Sequence, residues 1–96
     1  SASKAAINGL VKSLAIELSP RSIRVNSILA GAVLSPMRDR ILKNISTKSA
    51  EEYELKHPLG FGTTSDISNL ALFLMSDASK WITGSEIVID GGYTAK

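Results

Sequence analysis

Apolar residues in the first part of the chain recur at Ile7, Leu10, Val11, Leu14, Ala15 and Leu18. That i, i+3, i+4, i+7 rhythm places them on one face of a helix, with Lys12, Ser13 and Glu17 turned away from it. The pattern is already running at Ala2, as in a helix entered part-way along. Proline disfavours helical backbone in the residue before it, so the helix is expected to stop at Ser19-Pro20. From Ser22 to Leu29 the period changes. The segment is short and β-branched, with Ile23, Val25 and Leu29 on one side and Ile28 on the other. A strand apolar on both faces suits a parallel sheet, which is covered on both sides.

Three helical stretches follow. Ser35-Pro36 reads as an N-cap with proline at the first helical position, predicting a short helix over 36–44. Ser49-Ala50-Glu51-Glu52 is a capping-box pattern for a helix running to about Lys56, with polar, mobile chain from Asn44 to Lys48 before it. His57-Pro58-Leu59-Gly60-Phe61-Gly62 carries turn chemistry, so His57 reads as a turn residue. A third helix is expected from Ser65, with Ile67, Leu70, Ala71 and Leu74 as its core stripe. Leu72, Phe73 and Met75 widen that stripe until it calls for cover on more than one side. Asp77–Lys80 closes this helix, and after the Trp81–Gly84 turn a second strand runs over Glu86–Asp90, ended by Gly91-Gly92.

Two strands separated by helices predict an α/β chain with a right-handed parallel crossover. Two strands alone make a poor sheet, so the expectation is that this chain works with more protein, either upstream sequence or partner chains.

Composition narrows the chemistry. The 96 residues are 44% hydrophobic and 21% charged, which excludes an intrinsically disordered chain. The absence of Cys excludes a disulfide framework, a thiolate metal site and a cysteine nucleophile. His57 is the lone histidine, which excludes a His-rich zinc site. No apolar run approaches the ~18 residues a membrane span needs, and with no leader pattern at the start the expected compartment is the cytoplasm. The net charge of +2 divides unevenly: residues 1–48 carry eight Lys/Arg against two acids, residues 49–96 three Lys against seven. A basic half suits phosphate. Its charges are dispersed, however, and five aromatics in the whole chain argue against nucleic acid.

Five short segments share one family pattern. Ser1-Ala2-Ser3-Lys4 before Ala5-Ala6 matches the end of a Tyr-x-x-x-Lys motif. Ile23-Arg24-Val25-Asn26 with Ala30-Gly31-x-Val33-x-Ser35 matches an Arg-Val-Asn…Pro-Gly-x-Val-x-Thr strand and loop. Pro58-Leu59-Gly60 with Asp66-Ile67, Ser76-Asp77-x-Ser79 with Ile82-Thr83-Gly84, and Val88-Ile89-Asp90-Gly91-Gly92 complete the set. On these residues, in this order, the whole chain resembles the C-terminal portion of the short-chain dehydrogenase/reductase family, of the classical type and similar to its 3-oxoacyl-acyl-carrier-protein reductase-like members.

The resemblance implies the C-terminal part of a Rossmann-type doubly wound parallel sheet, with residues 1–96 forming the later portion of one dinucleotide-binding domain. It implies hydride transfer between NAD or NADP and a small carbonyl or alcohol substrate. Lys4 matches the catalytic lysine, which favours the tyrosinate one helical turn away and bonds the cofactor ribose. Gly31, Val33 and Ser35 match the loop that holds the nicotinamide carboxamide. The segment 36–57 would be a lid on the substrate side, with Met37 and Ile41 toward substrate. Trp81, Ile82 and Ile87–Ile89 match a subunit interface, implying a homodimer or homotetramer, with ordinary core as the alternative for the same residues. The matching tyrosine would stand immediately before Ser1, and the glycine-rich pyrophosphate turn has no counterpart among these residues. The expectation is therefore part of an oxidoreductase, inactive by itself. The alternative is a truncated, inactive product serving only as an interaction or oligomerisation module. Ala30 stands where the family has proline, and Phe61-Gly62 replaces its Arg-x-Gly.

Overall fold

A computed structural model describes residues 2–34, 40 and 43–95. The elements are α1 (Ala2–Leu18), β1 (Ser27–Ala30), β2 (Val33–Leu34), α2 (Thr47–Leu55), β3 (Gly62–Thr63), α3 (Thr64–Met75) and β4 (Glu86–Ile89), with 3-10 turns at Ser19–Arg21, Asp77–Ser79 and Tyr93–Ala95. β1 pairs with β4, and β2 with β3. Ser27 N–H donates to the Ser85 carbonyl and Gly31 N–H to that of Ile89. Both strands advance by four residues between these bonds, so β1 and β4 run parallel, as the crossover predicts. The chain divides into two compact units, Ser1–Leu29 with Leu70–Ile87, and Ala30–Asn69 with Val88–Lys96.

In the first unit, α1 ends where expected. Pro20 sits in the 3-10 turn, Ser22 takes a left-handed conformation at φ 58°, and its N–H donates to Ser19. Val11 and Ala15 are buried, but Ile7 and Leu10 are exposed, and Ile16 is 76% exposed. The apolar stripe is thus covered at Val11 and Ala15, half-covered at Leu14 and Leu18, and open at Ile7 and Leu10. Gly84 packs against the covered part, since a side chain there would meet the Ala15 methyl at 3.4 Å.

The strand expected from Ser22 begins at Ser27 instead. Upstream of it, side chains take over the bonding: Val25 N–H donates to Thr83 Oγ1 (3.1 Å), Asn26 Nδ2 to the Ile82 carbonyl (3.0 Å), and Ser85 N–H to Asn26 Oδ1 (3.0 Å). Arg24 donates to the carbonyls of Leu74 (2.7 Å), Ser76 (3.3 Å) and Ile82 (3.2 Å). Together with Ser79, which is 1% exposed with Oγ 2.8 Å from the Phe73 carbonyl, it satisfies the open C-terminus of α3. Leu70, Ala71 and Leu74 are half-buried, whereas Leu72, Phe73 and Met75 face outward and lack the second cover expected for them.

In the second unit, α2 is capped by Ser46, three residues earlier than the Ser49 pattern predicts. Ser46 Oγ accepts from Ser49 N–H at 3.1 Å and donates to Ser49 Oγ at 2.8 Å. Ser49 is the third helical residue, a hydroxyl partner in the place a Glu takes in the capping box. At the start of α3, Asp66 Oδ2 reaches back to accept from Thr63 N–H (2.8 Å) and Oγ1 (3.2 Å). β2 and β3, unexpected as strands, pair in parallel with Val33 opposite Gly62 and Leu34 opposite Thr63.

Candidate cofactor-loop site

The second unit places Gly31 and Val33 just past the carboxyl end of β1 and beside the carboxyl end of β4, the end at which open α/β sheets bind ligands. The loop is held from two sides. Gly31 N–H donates to Ile89 at 2.9 Å, and the Ala32 carbonyl accepts from Gly62 N–H at 3.0 Å. A Cβ on Gly31 would lie 2.8 Å from Asp90 Cβ and 2.9 Å from its Cα. Only glycine fits that approach, a constraint of packing rather than of φ. Ala32 is buried.

The same bonding fixes where Val33 points its amide. Carbonyl and N–H lie trans across one planar peptide. Because the Ala32 carbonyl faces Gly62 on β3, the Val33 N–H projects to the opposite side of β2, away from its partner strand. A donor held rigidly and aimed off the ladder suits an amide or carbonyl acceptor on a ligand, as the resemblance requires of this loop. A cavity of about 420 Å³ is lined by Val33, Phe61, Ile67 and Ile89 together with Asp66 and Asp90. Both carboxylates are already engaged in turns. Asp90 accepts from Gly92 N–H (3.0 Å), Thr94 N–H (3.0 Å) and Thr94 Oγ1 (2.6 Å). The Thr94 hydroxyl, helped by the backbone N–H groups of Thr94, Gly92 and Tyr93, holds the Asp90 carboxyl below its ordinary range against an opposing effect of partial desolvation.

Lys4 lies in the first unit, exposed on the first turns of α1. Ser35, Met37, Ile41 and the helix expected over 36–44 fall on or across positions outside the described residues. Trp81 is 96% exposed and Ile82 and Ile87 are half-buried. Among the described residues no group of three His, Cys, Asp or Glu is arranged to hold a metal, and no helix is long and apolar enough to cross a membrane.

The turn chemistry of 57–62 predicts no more for His57 than a turn position. In the structure it is 5% exposed, and its ring contacts Tyr53, Phe61 and Tyr93. The hydrophobic period carried no sign of this cluster, because its members come from a helix, a turn and the C-terminal segment.

A family model described as enoyl-(acyl carrier protein) reductase matches residues 1–94. The chain belongs to the short-chain dehydrogenase/reductase family. A 3-alpha-(or 20-beta)-hydroxysteroid dehydrogenase of Mycobacterium tuberculosis is 42% identical over 98 residues, covering 98% of this chain and 33% of that protein. A 3-oxoacyl-acyl-carrier-protein reductase of Staphylococcus epidermidis is 38% identical over 91 residues, covering 95% of this chain and 36% of that protein. The chain thus spans about a third of the length of these curated relatives. Among solved structures, a short-chain dehydrogenase family protein from Francisella tularensis superposes with a TM-score of 0.86 at 38% identity, over 98% of this chain and 42% of that one. A 4-hydroxyisoleucine dehydrogenase complexed with NADH gives 0.86 at 37% identity, over 99% of this chain and 39% of that one. The mixed helices and parallel strands are part of an α/β Rossmann-type fold.

Proposed function

We propose that the chain is the C-terminal portion of a single dinucleotide-binding domain, in an enzyme that transfers hydride between a nicotinamide cofactor and a small carbonyl or alcohol substrate. The observation that carries this reading is the Val33 amide, directed away from β3 on a loop that Gly31 and Asp90 lock at the carboxyl ends of parallel strands. Support comes from the NADH-complexed 4-hydroxyisoleucine dehydrogenase among the structural relatives. The nicotinamide supplies the hydride when bound. The chain's own part is to bind and orient. Val33 N–H would donate to the carboxamide, and Ser35, by its match to the family loop, would add a hydroxyl. Lys4, on α1, would bond the ribose hydroxyls and favour a tyrosinate one turn away. Met37 and Ile41 would face substrate from the lid.

By themselves the 96 residues are expected to be inactive, since they hold no glycine-rich pyrophosphate turn and no tyrosine four positions before Lys4. A second reading, a module that only associates with other chains, is favoured by the outward apolar group of Leu72, Phe73, Met75 and Trp81. The same group serves the enzyme reading as a homodimer or homotetramer contact. Kinetics on the complete natural protein separate the two. The enzyme reading expects carbonyl-dependent oxidation of NADH or NADPH, and a Lys4→Met loss in kcat/KM of about 100-fold or more, the scale of a proton-transfer group, with the circular dichroism spectrum unchanged. Oligomers that show neither turnover nor cofactor binding leave only the module.

A further inference from the structure

His57 is a buried titratable side chain that the proposed chemistry does not use. Its Nδ1 lies 3.0 Å from the Tyr53 carbonyl near the end of α2. A carbonyl only accepts, so Nδ1 carries the proton and the ring is held in one tautomer and one orientation. Three aromatic rings then enclose it. Tyr53 and Phe61 meet it edge-on at 5.3 and 5.2 Å, and Tyr93 stacks on it at 4.7 Å with an interplanar angle of 29°. Edge-on and offset stacked pairs at these separations are the favourable aromatic geometries.

Two of these partners continue directly into the segments that grip the cofactor loop. Phe61 precedes Gly62, whose N–H holds the Ala32 carbonyl. Tyr93 follows the Asp90–Gly92 turn, which leads out of β4 just after Ile89, the acceptor for Gly31 N–H. The two segments are joined directly as well: Leu59 N–H donates to the Gly91 carbonyl at 2.9 Å, and Gly92, at φ 92°, leaves 3.1 Å between a Cβ there and Pro58 Cγ. We infer that His57 is a positioning residue for the loop Gly31–Val33: its oriented ring sets the separation of the 57–62 and 89–93 segments, and so the aim of the Val33 amide. The role in cofactor binding rests on the function proposed above; the mechanical coupling does not.

The test uses the complete natural protein with His57→Ala, His57→Phe and His57→Asn, reading NADH and NADPH affinity by fluorescence titration and amide hydrogen exchange at Gly31 and Gly62. Phe keeps the ring contacts, whereas Asn keeps a donor for the Tyr53 carbonyl without the ring. The expected result is about tenfold weaker binding of the preferred nucleotide for Ala and Asn (about 1.4 kcal/mol), faster exchange at both glycines, and rescue by Phe to within about threefold. A lowered melting temperature with unchanged exchange at Gly31 and Gly62 overturns the inference, as does a Phe variant as impaired as Ala. Should His57→Ala not fold, Tyr93→Leu on the exposed side of the stack is expected to raise Gly31 exchange several-fold, and unchanged exchange there also overturns it. Faster exchange in a protein that binds neither nucleotide supports the coupling and overturns the nicotinamide reading instead.

Discussion

Residues 24–26 in the first unit and 31–32 in the second are irregular chain flanking β1, and they are held by opposite means. Around Arg24 and Asn26, side chains reach backbone: one guanidinium serves three carbonyls, and one amide bridges Ile82 and Ser85. Around Gly31 and Ala32, backbone bonds backbone, and the space for a side chain is removed altogether. The first arrangement tolerates changes of shape but not loss of a donor. The second tolerates changes of polarity but not an added methyl. A segment that must aim a backbone amide at a ligand gains from the second kind, because nothing flexible stands between the scaffold and the donor.

The largest test of that contrast is Gly31→Ala. One methyl at 2.8–2.9 Å from Asp90 requires backbone to move, and about 2–4 kcal/mol of unfolding free energy should be lost, the upper range of overpacking. Urea denaturation of the complete protein measures it; a loss below about 1 kcal/mol would show that the loop yields. Next comes Arg24→Ala. It strips charged donors from the Leu74, Ser76 and Ile82 carbonyls and is expected to cost about 2–3 kcal/mol. Arg24→Lys should recover less than half, since an ammonium lacks the fork that reaches separate acceptors; equal stability of Lys and Arg variants breaks the comparison.

Smaller again is Ser27→Ala. Ser27 Oγ is buried with no hydrogen-bond partner among the described residues, so removing it should be neutral or stabilising by up to about 1 kcal/mol. A clear loss of stability in the complete protein would reveal a partner supplied from elsewhere. The smallest effect is expected at Asp90. Its folded-state carboxyl titrates lower than in the unfolded chain, so it favours folding above its unfolded pKa, and this contribution fades as pH falls through the lowered folded value. Thr94→Val removes the leading cause and should flatten the acid limb of stability below about pH 4, read from thermal melts between pH 5 and pH 2. An unchanged acid limb would exclude that hydroxyl.

The order of elements was legible because local signals carried it. Pro20 stops α1, the alternating residues before Ala30 and after Ser85 form β1 and β4, and Gly91 and Gly92 end the last strand at φ 61° and 92°. The cap of α2 lies three residues before the Ser49 pattern because Ser46 and Ser49 are chemically equivalent caps, and only folding shows which has its side chain beside free amides. β2 and β3 carried no sequence signal, being two residues each. Such strands exist only because a distant segment stands alongside.

The sequence by itself therefore determined the family, the α/β order, the parallel crossover and the identity of Gly31 and Val33 as loop residues. These follow from periods and motifs written within a few neighbouring positions. The tertiary structure decided what those residues can do. The direction of the Val33 amide depends on Ala32 bonding Gly62, the need for glycine at 31 depends on Asp90, and the burial of His57 depends on rings up to 36 positions away at Tyr93. Each is a relation between segments remote in sequence, and no local pattern encodes it.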